Sequence, residues 1–538
     1  MNTTATLPKV GERISYHESL ATVKFIGNVE KTTGIWLGVE WDNPERGKHD
    51  GAKDGRRYFS CRSANAGSFI RPSPQVLRGV SFLKALKSKY IEEFYGSSSQ
   101  EKVILGSSNG AIQVEAVNLD KARGKFADLG RLRHVSLENE LVAFVDESDS
   151  IRNTCPNIRG LDLSTSLLPT WIAVADIASE LPALQRLALN WNRFAKIPLN
   201  IVKMSSAFLN LVDLELNGTL INWDEIQRVT SFMPKLSSIE LGRNELCDLK
   251  TKYTNIGAGS SVQNINFEGN WFKEWIHICR SLRSYKRLEH VILTSNDIDT
   301  IPFPTTDDSP VLRGLTYLSL NFNSIKSWSD VDALSLWCPS LTSLALTGNP
   351  VVENSDEPRY TRPFIIVRVP TLTILDSTAI SSKERVDSEL LYLSYISRRF
   401  SIDETDAGRA QLNREHSRWE ELSKKHGVTL STSGRTSSSH QDRLSHKLFE
   451  VEIRKTAASS PAQATEWEDA TAMRVLPSMS LRVFRLKIRK TFNIGKNIKF
   501  SLWLKMHDES WAELQADSHD LDWLGLEVGS QLACCVEE

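Results

Sequence analysis

The chain has 538 residues, 40% hydrophobic and 24% charged, with a formal net charge of -1. One hydrophobic core rarely grows that far, so several domains are expected, and the near-neutral charge speaks against a nucleic-acid or anionic-membrane binder. No apolar run is long enough to span a bilayer, Met1 to Val10 lacks the apolar stretch of a secretory signal, and the seven scattered cysteines form no C-x-x-C pair. These features fit a reducing cytoplasm and argue against a disulfide framework or a structural zinc site.

Residues 1–78 read as a small antiparallel barrel. Short alternating runs (Thr22 to Ile26, Trp36 to Trp41, Tyr58 to Ser60, Ser68 to Arg71) are separated by Gly, Asp-Asn-Pro and Lys-Asp-Gly turns. Residues 79–131 form a connector: a short helix over 80–91, then a hairpin of Lys102–Leu105 and Ile112–Val117 that is expected to cap the next domain.

Residues 132–380 are organised by one pattern, L-x-x-L-x-L, repeated nine times from Leu132, Ile158, Leu184, Leu211, Leu236, Val262, Leu288, Leu315 and Leu341. The steps are 26, 26, 27, 25, 26, 26, 27 and 26 residues, and six copies add an Asn eight positions on: Asn192, Asn244, Asn270, Asn296, Asn323 and Asn349. This is the leucine-rich-repeat signature: one strand per copy, an Asn bonding the backbone of the turn that follows, and neighbours stacked into an α/β solenoid. Strand alternation turns the residues flanking the second and third apolar positions to the concave side. Six of them are acidic (Glu138, Asp162, Asp213, Glu215, Glu240, Glu268), all within the first six copies. The strand-like piece Pro370 to Asp376 is expected to close the far end.

Residues 381–444 hold two predicted helices, 383–400 with an apolar stripe Val386, Leu390, Leu393 and a charged one over 406–426, followed by a Ser-rich linker. In residues 445–538 two strands, a helix from about Ser478 burying Leu481, Phe484 and Ile488, and further strands (Phe500 to Leu504, Ser530 to Val536) predict an α+β β-grasp of the ubiquitin-like kind. Cys-Cys-Val-Glu-Glu at the end lacks a conjugation tail, so this domain reads as a docking module.

The sharpest local signal is Gly47-Lys48-His49-Asp50-Gly51. Its glycines permit close backbone approach, Lys48 supplies a cation, His49 and Asp50 supply polar contacts, and Trp36 and Phe69 an apolar wall. Residues 1–75 carry 11 Lys+Arg against 8 Asp+Glu, a bias suited to an acidic peptide. "GIWLGVEWDNPERGKHDGAKDGRRYF" followed by "GSFIRP" resembles the CAP-Gly family, whose GKNDG motif binds acidic, aromatic-ended C-terminal tails such as that of α-tubulin. The resemblance implies that Trp36, Lys48, His49, Gly51, Phe69 and Arg71 line the groove. His49 replaces the usual Asn and Lys31 stands where many members have an aromatic, which implies differently tuned tail binding.

The order CAP-Gly, leucine-rich repeats, ubiquitin-like domain is similar to that of the tubulin-folding cofactors. That likeness implies a monomeric protein of the cytoplasm and cytoskeleton that holds α-tubulin and acts with cofactors B, C and D to assemble and dismantle the αβ heterodimer. It implies no enzyme activity and no cofactor group. The alternatives are a CAP-Gly microtubule-associated adaptor, or a ubiquitin-pathway adaptor that reaches the proteasome through its last domain. Catalysis has no support: there is no G-x-S-x-G elbow, and no Lys-Ser/Thr follows the glycine loop.

Overall fold

The computed structural model describes residues 7–92, 104–105, 112–113, 128–197, 204–250, 261–305, 310–353, 358–399, 412, 415–427, 448–495, 498–506, 509–515, 517 and 519–536. They fall into two compact units, 1–431 and 432–538, each taken by itself below.

The first unit opens with a five-stranded antiparallel sheet, ordered Gly67–Ile70, Ile35–Trp41, Ser19–Asn28, Arg13–Tyr16, Val76–Arg78. Ile14, Ala21, Val23, Leu37, Val39, Trp41 and Ile70 form its core. The first hairpin turns through His17 and Glu18, both at positive φ, the twist a two-residue hairpin loop needs. Two of these strands, Arg13–Tyr16 and Val76–Arg78, were not anticipated, and Tyr58 to Ser60 is not a strand. The backbone N–H groups of Tyr58 and Phe59 instead both donate to the Gly51 carbonyl (3.0 and 3.4 Å), which clamps this segment across the glycine loop.

The repeats build one sheet of eleven strands. Nine three-residue strands, from His134–Ser136 to Ser343–Ala345, pair in parallel and in step. Ile374–Leu375 continues the sheet in parallel, and Thr378–Ala379 closes it antiparallel. The second and third apolar positions are buried in every copy (Val135, Leu137 through Leu344, Leu346) and join one continuous core. The asparagines act in the direction opposite to the expected one. Asn270 Nδ2 donates to Phe267 O (2.9 Å) in its own repeat and Leu241 O (3.0 Å) in the preceding one, and its Oδ1 accepts from the Asn244 and Leu246 N–H groups (both 3.0 Å). Each Asn therefore stitches its repeat backward to the previous turn. Helices Trp171–Ser179, Trp223–Thr230 and Trp275–Leu282 each start on a buried Trp.

Strands 104–105 and 112–113 do pair, but as a separate two-stranded sheet. Among the described residues, the solenoid's first end is covered instead by helix Phe82–Lys87, whose Phe82, Leu83 and Leu86 join the repeat core, and by Tyr90, whose hydroxyl accepts from the Ser136 N–H (3.1 Å). At the far end, helices Pro358–Arg368 and Ser382–Arg399 pack together. The expected stripe on the latter is corrected: Val386 and Leu390 are exposed, while Tyr392, Leu393 and Ile396 are buried against Phe364, Val367, Leu412 and Leu422. The following helix is not continuous: residues 416–418 are non-helical and the helix resumes as Trp419–His426, while most of 406–414 lies outside the described residues.

The barrel is tied directly to the repeats. The Arg193 guanidinium donates to the Asp42 carbonyl (3.4 Å) and to those of Asn192 and Gly218, and the Arg62 guanidinium donates to the Phe194 carbonyl. Asp42 is held in turn by a two-pronged pair with buried Arg13 (2.5 Å for each prong). Around these bonds is a cavity of about 150 Å³, lined by Lys24, Glu40 and Trp41 from the barrel and Pro169, Phe194 and Leu220 from the repeats.

The second unit is a five-stranded mixed sheet, ordered Thr471–Val475, Phe449–Thr456, Gln531–Val536, Phe500–Lys505, Trp511–Glu513. Its two central strands, Phe449–Thr456 and Gln531–Val536, run parallel. Helix Leu481–Thr491 packs on one face through Leu481, Phe484 and Ile488.

Candidate functional site

The Gly47 to Gly51 loop is fixed by its backbone. Lys48 and His49 N–H donate to the Gly67 carbonyl (2.8 and 3.2 Å), and Gly67 N–H donates back to the His49 carbonyl (2.7 Å). The glycines are dictated by crowding. A Cβ on Gly47 would lie 1.9 Å from the Asn65 carbonyl oxygen, and one on Gly51, at φ +100, would lie 2.1 Å from that of Phe59. Lys48 projects from this frame exposed, with no carboxylate partner among the described residues.

His49 occupies the family's Asn position in a defined protonation state. Gly51 N–H donates to its Nδ1 (3.0 Å), so Nδ1 carries the lone pair and the neutral ring keeps its proton on Nε2. Burial pulls its pKa below the ordinary 6.5, Asp50 pushes it back up and Lys53 pulls it down again. The His ring thus replaces the amide with one inward acceptor and one remaining donor.

An aromatic floor adjoins the loop. Phe69 lies 5.0 Å from His49, 5.5 Å from Phe59 and 5.4 Å from Tyr58, centre to centre, and the last two pairs are edge-to-face. Gly38 lets Phe59 lie flat on the strand, since a Cβ there would meet the ring at 2.5 Å. The Arg71 guanidinium stacks 3.8 Å from the Trp36 ring, with Lys53 Nζ at 5.9 Å. Trp36 Nε1–H is already committed to Thr32 Oγ1 (2.8 Å), so the indole offers its face and not its N–H.

The structure therefore groups His49 with Phe69 and Trp36 with Arg71, around the loop that presents Lys48. Asp50 accepts from Arg57 (2.6 Å), which also holds the Asp50 and Phe59 carbonyls, and this bond is the main cause of its lowered pKa. Asp50 braces the loop. Sequence reasoning missed Arg57, Phe59 and Lys53. The one available signal was their clustering in and just after the Lys-Asp-Gly turn.

The six concave carboxylates differ in their partners. Asp162 is held by Ser164 N–H (2.9 Å) and Ser136 Oγ (3.3 Å), Asp213 pairs with Arg186 (2.9 Å), and Glu138 has no ion pair among the described residues. Glu215, Glu240 and Glu268 come from three successive copies, with Glu215 and Glu240 in register. Glu215 and Glu240 accept from amides, Asn190 (2.8 Å) and Asn266 (2.6 Å), and not from cations. Burial raises the pKa of Glu240, with Asn266 opposing and the Glu215 and Glu268 charges adding to the rise. Of the tryptophans, Trp275 and Trp337 are core, whereas Trp191 and Trp271 are exposed turn residues.

A glycine-locked loop beside an aromatic floor, on a barrel joined to a repeat array, defines a CAP-Gly protein, and the family model described as CAP-Gly domain matches residues 10–74. A solved CAP-Gly domain of Bik1, with an ETF peptide from Bim1, is 28% identical and covers 12% of this chain and 75% of its own, with a TM-score of 0.11. Tubulin-specific chaperone E of Bos taurus is 37% identical over 398 residues, 73% of either chain. The Homo sapiens relative of the same name is 33% identical over 395 residues (73% of either chain), and tubulin-folding cofactor E of Arabidopsis thaliana is 26% identical over 431 (78% of either chain). The chain belongs to the tubulin-specific chaperone E family.

Proposed function

We propose that this chain is a tubulin-folding cofactor that takes the acidic tail of α-tubulin in the groove of Lys48, His49, Gly51, Phe69, Trp36 and Arg71. It takes a more basic part of the folded body on the acidic repeats. The observation that carries the reading is the groove: a rigid amide frame, a donor on His49 Nε2, and the cations of Lys48 and Lys53, with no ion pair among the described residues, beside an aromatic floor. Such a site recognises an acidic peptide with an apolar end. On the repeats, Glu215, Glu240 and Glu268 have no cationic partner among the described residues and are the positions for the body.

In this reading the chain works as a monomer in the cytoplasm, with cofactors B, C and D, in assembly and disassembly of the αβ heterodimer, and no step of catalysis is its own. The C-terminal unit is a ubiquitin-like β-grasp docking module for a cofactor or for the proteasome. Its strand order, with the two central strands parallel and one helix across the sheet, supports that assignment.

The test is binding to α-tubulin with and without its last residue. Loss of affinity on truncation, matched by Lys48→Ala, supports the groove. Unchanged affinity in both removes the barrel from the account. Reversal of Glu215 and Glu240 to Lys is expected to weaken whole-client binding and leave tail-peptide binding intact. Equal loss of both refutes the division of labour.

A further inference from the structure

Charge is strongly segregated in the C-terminal unit. Residues 470–507 contain nine Lys and Arg and no Asp or Glu. Helix Leu481–Thr491 lies in this stretch and carries five of the nine. At 100° per residue, Leu481, Phe484 and Ile488 face the sheet, which puts Leu486 at the centre of the opposite face with Arg482 and Lys490 one turn away on either side. Leu486 is 62% exposed and its neighbour Val483 50%.

The other basic residues of the helix are already used. Arg485 pairs with Asp517 (2.9 Å) and holds the Phe500 and Leu514 carbonyls. Arg489 donates to Gly495 and Ile498 carbonyls, and Lys487 to that of Arg474. Arg482 and Lys490 are left with no ion pair among the described residues. On the sheet side several charged and aromatic residues are already paired: Glu450 with Arg474 (3.3 Å), Lys455 with Glu468 (2.7 Å), and Trp467 stacks on Trp511.

We infer that the outer face of helix Leu481–Thr491 is a docking surface for an acidic amphipathic helix of a partner protein. The partner's apolar residues cover Leu486 and Val483, and its carboxylates meet Arg482 and Lys490. The face is about 16 Å long, enough for roughly three turns of a partner helix. Charge complementarity selects an acidic ligand. The two aliphatic side chains at its centre select protein over nucleic acid, whose phosphates would leave them uncovered, and the face presents no aromatic for base stacking. The inference rests on the C-terminal unit being a docking module and is independent of the groove.

The experiment uses the full chain with labelled Leu and Val methyls. The probe is an amidated Glu-rich helical peptide of about 14 residues with Leu at i and i+4. Amidation removes the free terminal carboxylate, so failure here and failure of the groove reading stay distinguishable. The expected result is a shift of the Leu486 and Val483 methyls, with affinity falling about tenfold or more in the double variant Arg482→Glu, Lys490→Glu. Leu486→Ala, a helix-favouring change at an exposed site, is expected to weaken binding while leaving thermal unfolding unchanged. Equal binding of a peptide with its leucines replaced by Ala overturns the proposal. So does indifference to the charge reversals, a shift confined to other methyls, or stronger binding to phosphatidylserine vesicles or duplex DNA.

Discussion

At the scale of single residues, His49 is expected to make the proposed tail recognition sensitive to pH. Its Nδ1 accepts the Gly51 N–H, so protonating that nitrogen costs the loop a bond and turns an acceptor into a donor facing a donor. The folded-state pKa is depressed below 6.5, so the neutral form is the one folding favours. Its contribution to stability is complete above 6.5 and is lost as pH falls through the lowered folded value. Tail-peptide affinity is expected to decline over the same descent, and His49→Asn, which has no titrating ring, is expected to flatten that profile in a binding series from neutral to acidic pH. Gly51→Ala tests the frame itself: it combines positive φ with a 2.1 Å clash on Phe59 O, and is expected to cost about 3 kcal/mol or more in denaturant unfolding of the barrel. The candidate site was only partly legible in the sequence. The glycines and Lys48 announce themselves by pattern. The bracing of Asp50 by Arg57, and the commitment of the Trp36 N–H to Thr32, depend on contacts that cross turns and carry no local signature.

At the scale of elements, the repeats show why one part of the chain reads so clearly and another does not. A 26-residue period repeated with one-residue jitter reports the same strand nine times, so errors in any one copy are outvoted. What the period conceals is direction. The asparagine bonds run back to the preceding repeat, so each one contributes to an interface between copies as well as to its own turn. Asn270→Ala would strand the Asn244 and Leu246 N–H groups in the core and take one of two asparagine donors from each of the Leu241 and Phe267 carbonyls, and is expected to cost about 2–4 kcal/mol, read as a lowered urea midpoint. Helix Ser382–Arg399 shows the opposite case. Its apolar residues fit the stripe Val386, Leu390, Leu393, but burial follows Tyr392, Leu393 and Ile396. The choice is made by partners: Glu389 is buried because Lys425 and His426 from another helix reach it (both 2.7 Å), and Tyr392 because His416 bonds its hydroxyl (2.9 Å). A single amphipathic period cannot register a neighbour more than 20 residues away.

At the scale of the first unit, the barrel is fastened to the repeats and is not a module on a free tether. The fastening reaches the groove itself. Arg62 follows the Phe59 to Cys61 segment that walls the aromatic floor, donates its N–H to Glu40, and binds the Phe194 carbonyl through its guanidinium. Arg193 enters from the repeat side, where burial lowers its pKa and the Asp42 charge offsets part of that loss. Two arginines bonded mainly to carbonyls form an orienting contact, because the planar fork fixes angle as well as distance. A client gripping both groove and repeats then meets two sites in fixed geometry, and the second contact forms at a high effective concentration. Replacing both arginines with Ala is expected to broaden the distribution of distances between spin labels on the barrel and on the repeats. The same change is expected to lower affinity for whole α-tubulin by about tenfold or more and to leave isolated tail-peptide affinity within about twofold. A narrow distance distribution in the double variant would show that the cavity walls alone hold the barrel. Equal loss for peptide and whole client would place the effect of Arg62 in the groove wall, not in the geometry between the two sites.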